Sequence, residues 1–269
     1  MNNLHRELAP ISESAWAQIE EEATRTLKRH LAARRVVDVH GPQGVGFSAV
    51  GTGHTRPLAA PGQGIEARQR MVLPVVELRV PFELSRHAID DVERGSLDSD
   101  WDALKAAAKT IAFAEDRAVF DGYEAAGIAG LRHGSSNPAV PLPADIARYP
   151  MAVAQAVSAL RQAGVEGPYR LVLGAAAFTA ASGSNEEGYP VLQHLDRLVE
   201  HDIIWAPAIT GGFVVSARGG DFALDLGQDF SLGYLRHTDS SVTLYLQESF
   251  TFRVLTSEAC VVLPPATSG

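Results

Sequence analysis

Two stretches carry glycine spacing that could cradle a phosphate: Gly44-Val45-Gly46-Phe47-Ser48-Ala49 and Gly62-Gln63-Gly64-Ile65-Glu66-Ala67. A dinucleotide-binding turn needs such glycines to lead into a helix, whose first N–H groups and dipole meet the pyrophosphate. Neither stretch does so. The first runs into Val50-Gly51-Thr52-Gly53 and then prolines, the second into a strand-like run, so both read as chance spacing in a glycine-rich loop. No G-x-S-x-G elbow, Walker A loop, H-E-x-x-H pair or EF-hand loop occurs, and the nine histidines are scattered. Cys260 stands in Ala259-Cys260-Val261-Val262, an apolar run in which a thiol is buried and inert. Arg34-Arg35 reads as solvated surface. Glu115, beside Asp116, interrupts an apolar helix stripe, where an acid is expected to pair with an arginine for structural reasons. This pattern reads as a non-enzyme, with no catalytic residue, metal or cofactor assigned.

The elements around these residues follow from periodicity. Trp16, Ile19, Ala23, Leu27 and Leu31 recur at steps of three and four, so the opening forms a helix capped by Ser12, with acids early and Lys28, Arg29 and His30 late. A strand over residues 36–39 follows. Residues 45–75 are rich in Gly and Pro and flanked by strand-like arms at 47–50 and 65–73, a long hairpin that is stable only against a partner. Residues 76–84 alternate as a half-buried strand, and Ser85 can cap a short helix through Arg94. Residues 99–126 read as one helix about 40 Å long, starting from the capping-box-like Ser99-x-x-Asp102. The punctuated stretch 130–144 marks a boundary. Helices near 145–163 and 191–199 and strands at 169–173 and 203–205 come next. The remaining strands fall at 213–217, 222–226, 232–235 and 242–255. The order is α+β, neither Rossmann nor TIM.

Composition narrows the function classes. The chain has 269 residues, 46% apolar and 20% charged, enough for a sizeable core. No apolar run is long enough for a transmembrane helix, and the opening lacks the apolar stretch of a signal peptide. A single cysteine excludes an intrachain disulfide framework, and a cytoplasmic location is expected. A formal net charge of −9 argues against a nucleic-acid binder, which needs surplus Lys and Arg to neutralise phosphate.

Four blocks, in order along nearly the whole chain, resemble the family 1 encapsulins, the linocin- or bacteriocin-type shell proteins. The first holds Arg6, Ala9-Pro10, Trp16, Ile19, Arg34 and Val37-Asp38-Val39 before Gly41-Pro42. The second is Glu77-Leu78-Arg79 with Phe82 and Leu84, then residues 89–95. The third is residues 164–169 with Gly188-Tyr189-Pro190. The fourth combines Arg218-Gly219-Gly220-Asp221-Phe222, Gly227-Gln228-Asp229, Gly233-Tyr234 and residues 245–252.

The resemblance implies the HK97 phage-like major capsid fold. Residues 1–44 would form the N-terminal helix and docking segment, 45–75 the extended loop, 76–132 and 226–269 the peripheral domain, and 133–225 the axial domain. It implies a homo-oligomeric icosahedral shell, about sixty copies in its smallest (T=1) form. A cargo enzyme, a dye-decolourising peroxidase or alternatively a ferritin-like protein, would be held through a C-terminal targeting peptide. Carried over by position, Leu27 and Leu31 would floor the peptide groove, Arg34 and Asp38 would supply polar contacts, and Asp229 and Leu232 the opposite wall. Asn185, Glu186, Glu187, Gly188 and Tyr189 would form a pore loop. The chain departs from the family at Leu27, often Phe, and at His87, where some members stack an aromatic residue on a flavin; no flavin is assigned. The alternatives are a prophage major capsid protein, against which the acidic balance counts, and a secreted protease or antibacterial protein, for which no catalytic constellation is present.

Overall fold

The structure, a computed structural model, describes residues 3–266 apart from 187, 188 and 201. Helix α1 (Glu13–His30) is capped by Ser12, whose Oγ accepts from Ala15 N at 3.3 Å. Its last turn carries Lys28, Arg29 and His30, the charge the C-terminal dipole favours. The strand expected at 36–39 begins later, as β1 (Asp38–His40), because a 3-10 turn over Ala33–Arg35 leaves Val36 helical. The N–H groups of Ala32 and Ala33 donate to the Asp116 carboxylate at 2.8–3.1 Å, which holds the chain in that turn and sends Val36 and Val37 into the core.

The expected hairpin consists of β2 (Ala49–Leu58) and β3 (Ala67–Pro74), antiparallel and, among the described residues, paired only with each other. At about 3.3 Å per residue its ten-residue first strand reaches roughly 30 Å. Next come β4 (Val76–Ser85) and α2 (Arg86–Glu93), which Ser85 caps as expected. Helix α3 (Asp102–Phe120) is shorter than the 99–126 span. Trp101, not Ser99, sits at its N-cap, and the buried Ser99 hydroxyl has no hydrogen-bond partner among the described residues. Gly122 and Gly130, both at positive φ, press backbone on backbone just beyond its end: a Cβ on Gly130 would lie 2.3 Å from Gly122 N.

The rest of the chain holds α4 (Gly130–Gly134), α5 (Tyr149–Gln162), β5 (Tyr169–Leu173), α6 (Ala175–Gly183), β6 (Asn185–Glu186), β7 (Tyr189–Pro190), α7 (Val191–Val199), β8 (Ile203–Trp205), β9 (Gly212–Ser216), β10 (Phe222–Leu226), β11 (Ser231–His237), β12 (Ser241–Val254) and β13 (Cys260–Leu263). Strand β12 organises the larger sheet. One of its edges pairs β11 along the first half and β10 along the second; the other pairs β4, and β1 joins β10 in parallel. The smaller sheet runs β13-β9-β5-β8. One strand spans the expected boundary between 225 and 226, and another leaves the 226–269 segment for the smaller sheet. Phe222–Leu226 joins the larger sheet, and Cys260–Leu263 returns to cover the free edge of β9.

Each sheet has its own core, and α3 links them. Leu104, Ala108, Ile111 and Ala112 pack with α1, α2 and β12, whereas Ala118, Val119 and Phe120 pack in the core of the smaller sheet.

Candidate functional site

The apolar stripe of α1 is not wholly covered by α3. Beside it a groove of 470 Å³ opens between α1 and the residues leading into β11. Ala23, Leu27 and Leu31 form the helix side, and Phe230, Leu232 and Leu246 the sheet side. Lys28 and Glu20 stand on the rim, and the N-terminal segment closes one end. That segment is tied down: Leu4 O accepts from Tyr234 N at 2.8 Å, and Arg6 stacks on Trp16 (4.1 Å) while pairing with Glu20 at 2.5 Å.

Five of the six residues expected at a peptide groove meet here: Leu27, Leu31, Arg34, Asp229 and Leu232. Asp38 does not line it. Its carboxylate accepts from Gly220 N at 2.6 Å and faces a separate depression with Arg35 and Arg218. The one-residue steps of β1 explain the separation: the strand pairs Asp38 with Ala223 on β10, away from β11.

Arg34 is not the solvated residue that its doublet suggested. Its Nε and Nη2 donate to Glu115 at 2.6–3.0 Å, Nη1 reaches Asp229 at 2.7 Å, Nη2 stands 3.5 Å from Glu248, and the guanidinium lies 4.4 Å over the Phe230 ring. Burial alone would lower its pKa, but the hydrogen bond and charge of Glu115, then Asp229, raise it. Glu115 and Glu248 are both fully buried, so one cation faces more carboxylates than it can neutralise. Burial, and then the neighbouring Glu115, push Glu248 well above the usual carboxylate range, against the pull of Arg34. A proton held there lets Glu248 coexist with Glu115. The arrangement holds the groove wall rigid and leaves only Asp229, with its half-open side chain, to meet a ligand. Glu115 thus has the structural arginine partner expected of it.

Sequence reasoning missed Glu248, Phe230 and Leu246. Glu248 was legible in principle. Val242, Leu244, Leu246, Phe250 and Phe252 share its face of β12, so a lone acid in that row signals a buried partner. Phe230 and Leu246 give no signal, because only the packing of α1 decides which apolar residues border a gap.

Of the expected pore-loop residues, Asn185 and Glu186 pair in register with Pro190 and Tyr189 in a small hairpin, and the Tyr189 ring is exposed, 5.9 Å from His194. Glu187 and Gly188 lie outside the described residues.

The model of a family described as an encapsulating protein for peroxidase matches residues 1–251. The type 1 encapsulin shell protein of Rhodococcus erythropolis is 58% identical, with 98% of this chain and all of the relative covered. The chain belongs to the encapsulin shell family. The type 1 encapsulin shell protein of Mycobacterium tuberculosis is 56% identical, over 98% of this chain and 99% of its own length. Among solved structures, the virus-like particle of Pyrococcus furiosus covers 92% of this chain and 98% of its own, with a TM-score of 0.66 at 14% identity. The capsid of Myoviridae phage XM1 covers 88% and 92% with a TM-score of 0.57 at 12% identity. These last two show the HK97-type capsid fold. The encapsulin relatives at 56–58% identity separate this chain from the phage capsids, which share its architecture but little of its sequence.

Proposed function

We propose that this encapsulin shell protein closes into an icosahedral particle, about sixty copies in the smallest form, and that the α1 groove holds the targeting peptide of a cargo protein. The observation that carries this reading is the convergence of Leu27, Leu31 and Leu232 with Asp229 along one open apolar channel. A peptide of alternating apolar residues would seat two or three side chains there. A weak contact suffices, because an oligomeric cargo engages several grooves at once. The family description favours a peroxidase cargo, with a ferritin-like protein as the second candidate. A cytoplasmic location fits the single buried cysteine and the absence, among the described residues, of a helix long and apolar enough to cross a membrane. The hairpin of residues 45–75 would lie on a neighbouring copy, and the 185–189 loop would border a pore.

The groove reading is tested on Leu31→Asp. Leu31 is partly buried at the groove, whereas Leu27 is buried against α3 and its replacement would damage folding as well. Burying an apolar side chain contributes about 1.5–3 kcal/mol, and placing a carboxylate opposite a peptide anchor adds a desolvation cost. Particles of normal size by electron microscopy, with co-expressed cargo reduced to background, are expected. Undiminished cargo in Leu31→Asp particles would refute the groove.

A further inference from the structure

The side of α1 turned away from the cargo groove borders a second depression, of 500 Å³, between α1 and the first turns of α3. Arg25, Arg29, Lys105 and Lys109 line it, together with Thr26, His30 and the exposed Ala106. Glu22, the one acid among the lining residues, is ion-paired with Arg25. Lys105 pairs with Asp102 at 2.9 Å, and Lys109 rests 5.3 Å over the Phe113 ring. Among the described residues neither Arg29 nor Lys109 has a carboxylate partner. A cleft this basic stands out in a chain of net charge −9.

The matching surface lies on the same chain. In the loop joining α2 to α3, Leu97 is 94% exposed, more than any other large apolar side chain among the described residues. Asp98 and Asp100 follow it, both exposed, and among the described residues their carboxylates accept from Ser96 Oγ at 2.9 Å and Asp102 N at 3.0 Å, both within the same loop and helix start. A leucine tip beside two exposed acids fits a cleft that carries two cations, Arg29 and Lys109, without carboxylate partners among the described residues.

We infer that residues 96–100 of one copy dock into the α1–α3 cleft of a second copy, with Leu97 over Ala106 and Asp98 and Asp100 against Arg29 and Lys109. The aliphatic stems of the lysines and arginines supply apolar walls while their charges stay at the rim. The loop precedes α3 and the cleft flanks its next two turns, so two copies related by a two-fold axis make both contacts at once. This inference rests on the shell reading and adds to it a specific subunit contact.

The test uses assembled particles of the Leu97→Cys, Ala106→Cys double variant, oxidised with diamide and run on a non-reducing gel. Cys260 is fully buried and stays silent. A covalent dimer is expected, absent from either single variant. Intact particles that run as monomers would overturn the contact and leave the shell reading standing. A ladder above the dimer would overturn the two-fold arrangement. Failure of the parent protein to form particles would remove the shell reading, and this contact with it. As a second measurement, Arg29→Glu with Lys109→Glu, and separately Asp98→Lys with Asp100→Lys, should each lower the assembled fraction by about tenfold, because facing like charges are strongly unfavourable. All four variants combined should restore it; no restoration would overturn the pairing.

Discussion

Arg34 joins three elements through one guanidinium: it follows α1, bonds Glu115 on α3 and faces Glu248 on β12. Breaking a buried ion pair by removing one partner costs about 3–5 kcal/mol, so Arg34→Met should lower the thermal midpoint markedly and empty the groove of cargo. Glu248→Gln, which neutralises the surplus acid and leaves the Arg34–Glu115 pair in place, should be milder than the loss of the arginine. An Arg34→Met protein that melts like its parent would show that solvent, not Arg34, compensates these acids. Asp116 offers a second reading at this scale. Burial pushes its carboxyl up to about 7 from 3.8, although the N–H groups of Ala33 and Ala32 oppose the rise. Between those values the folded chain keeps a proton that the unfolded chain has released, so stability falls as pH rises through the window and levels off above it. Thermal midpoints of Asp116→Asn, measured at fixed protein concentration from pH 4 to 8, should show a shallower fall. Some slope should persist from Glu248, whose carboxyl is raised in the same direction. An unchanged slope would exclude Asp116 as its source.

At the scale of elements, the arm of β2 and β3 carries its consequences in its two faces. Ala67, Gln69, Met71 and Leu73 alternate with Arg68, Arg70 and Val72, so one face is mostly apolar and the other largely basic. Leu58, Ile65, Met71 and Val72 are each about half exposed, and no described residue of the subunit covers them. A two-stranded ribbon with an open apolar face is marginal by itself. Shortening the arm by deleting residues 54–69 and closing the stubs with an Asn-Gly turn should leave the circular dichroism of the subunit near that of the parent. The deletion should also shift sedimentation from particles to small species. Full shells from the shortened chain would remove the arm from assembly.

For the whole molecule, charge decides between two uses of one architecture. A capsid that packs DNA must tolerate phosphate along its inner wall, whereas every copy of this chain adds a net charge of −9. Purified particles should therefore carry no nucleic acid: their absorbance ratio should match that of protein before any nuclease treatment, and extraction should yield no protected DNA or RNA. Protected nucleic acid of uniform length would support the phage-capsid alternative.

Periodicity by itself determined the long elements. The α1 stripe and the alternation of β4 are legible because burial on one face forces a repeat of 3.6 or 2, and β12 alternates in residue type although both of its faces are buried. The span 191–199 matches α7, and Glu115 declared its buried pairing by breaking an apolar row. What only tertiary structure decided is where elements meet at their ends. The turn before Val36 and Val37 is imposed by Asp116, which binds the N–H groups of Ala32 and Ala33 from more than eighty residues away in sequence. The stop of α3 follows from two glycine backbones in contact, and Cys260–Leu263 joins a sheet begun at Tyr169. The groove is split in the same way. Leu27 and Leu31 share a helix face by spacing alone. Their meeting with Asp229 and Leu232, and the exclusion of Asp38, depend on how α1 lies across the larger sheet, because a gap between two elements belongs to neither sequence segment.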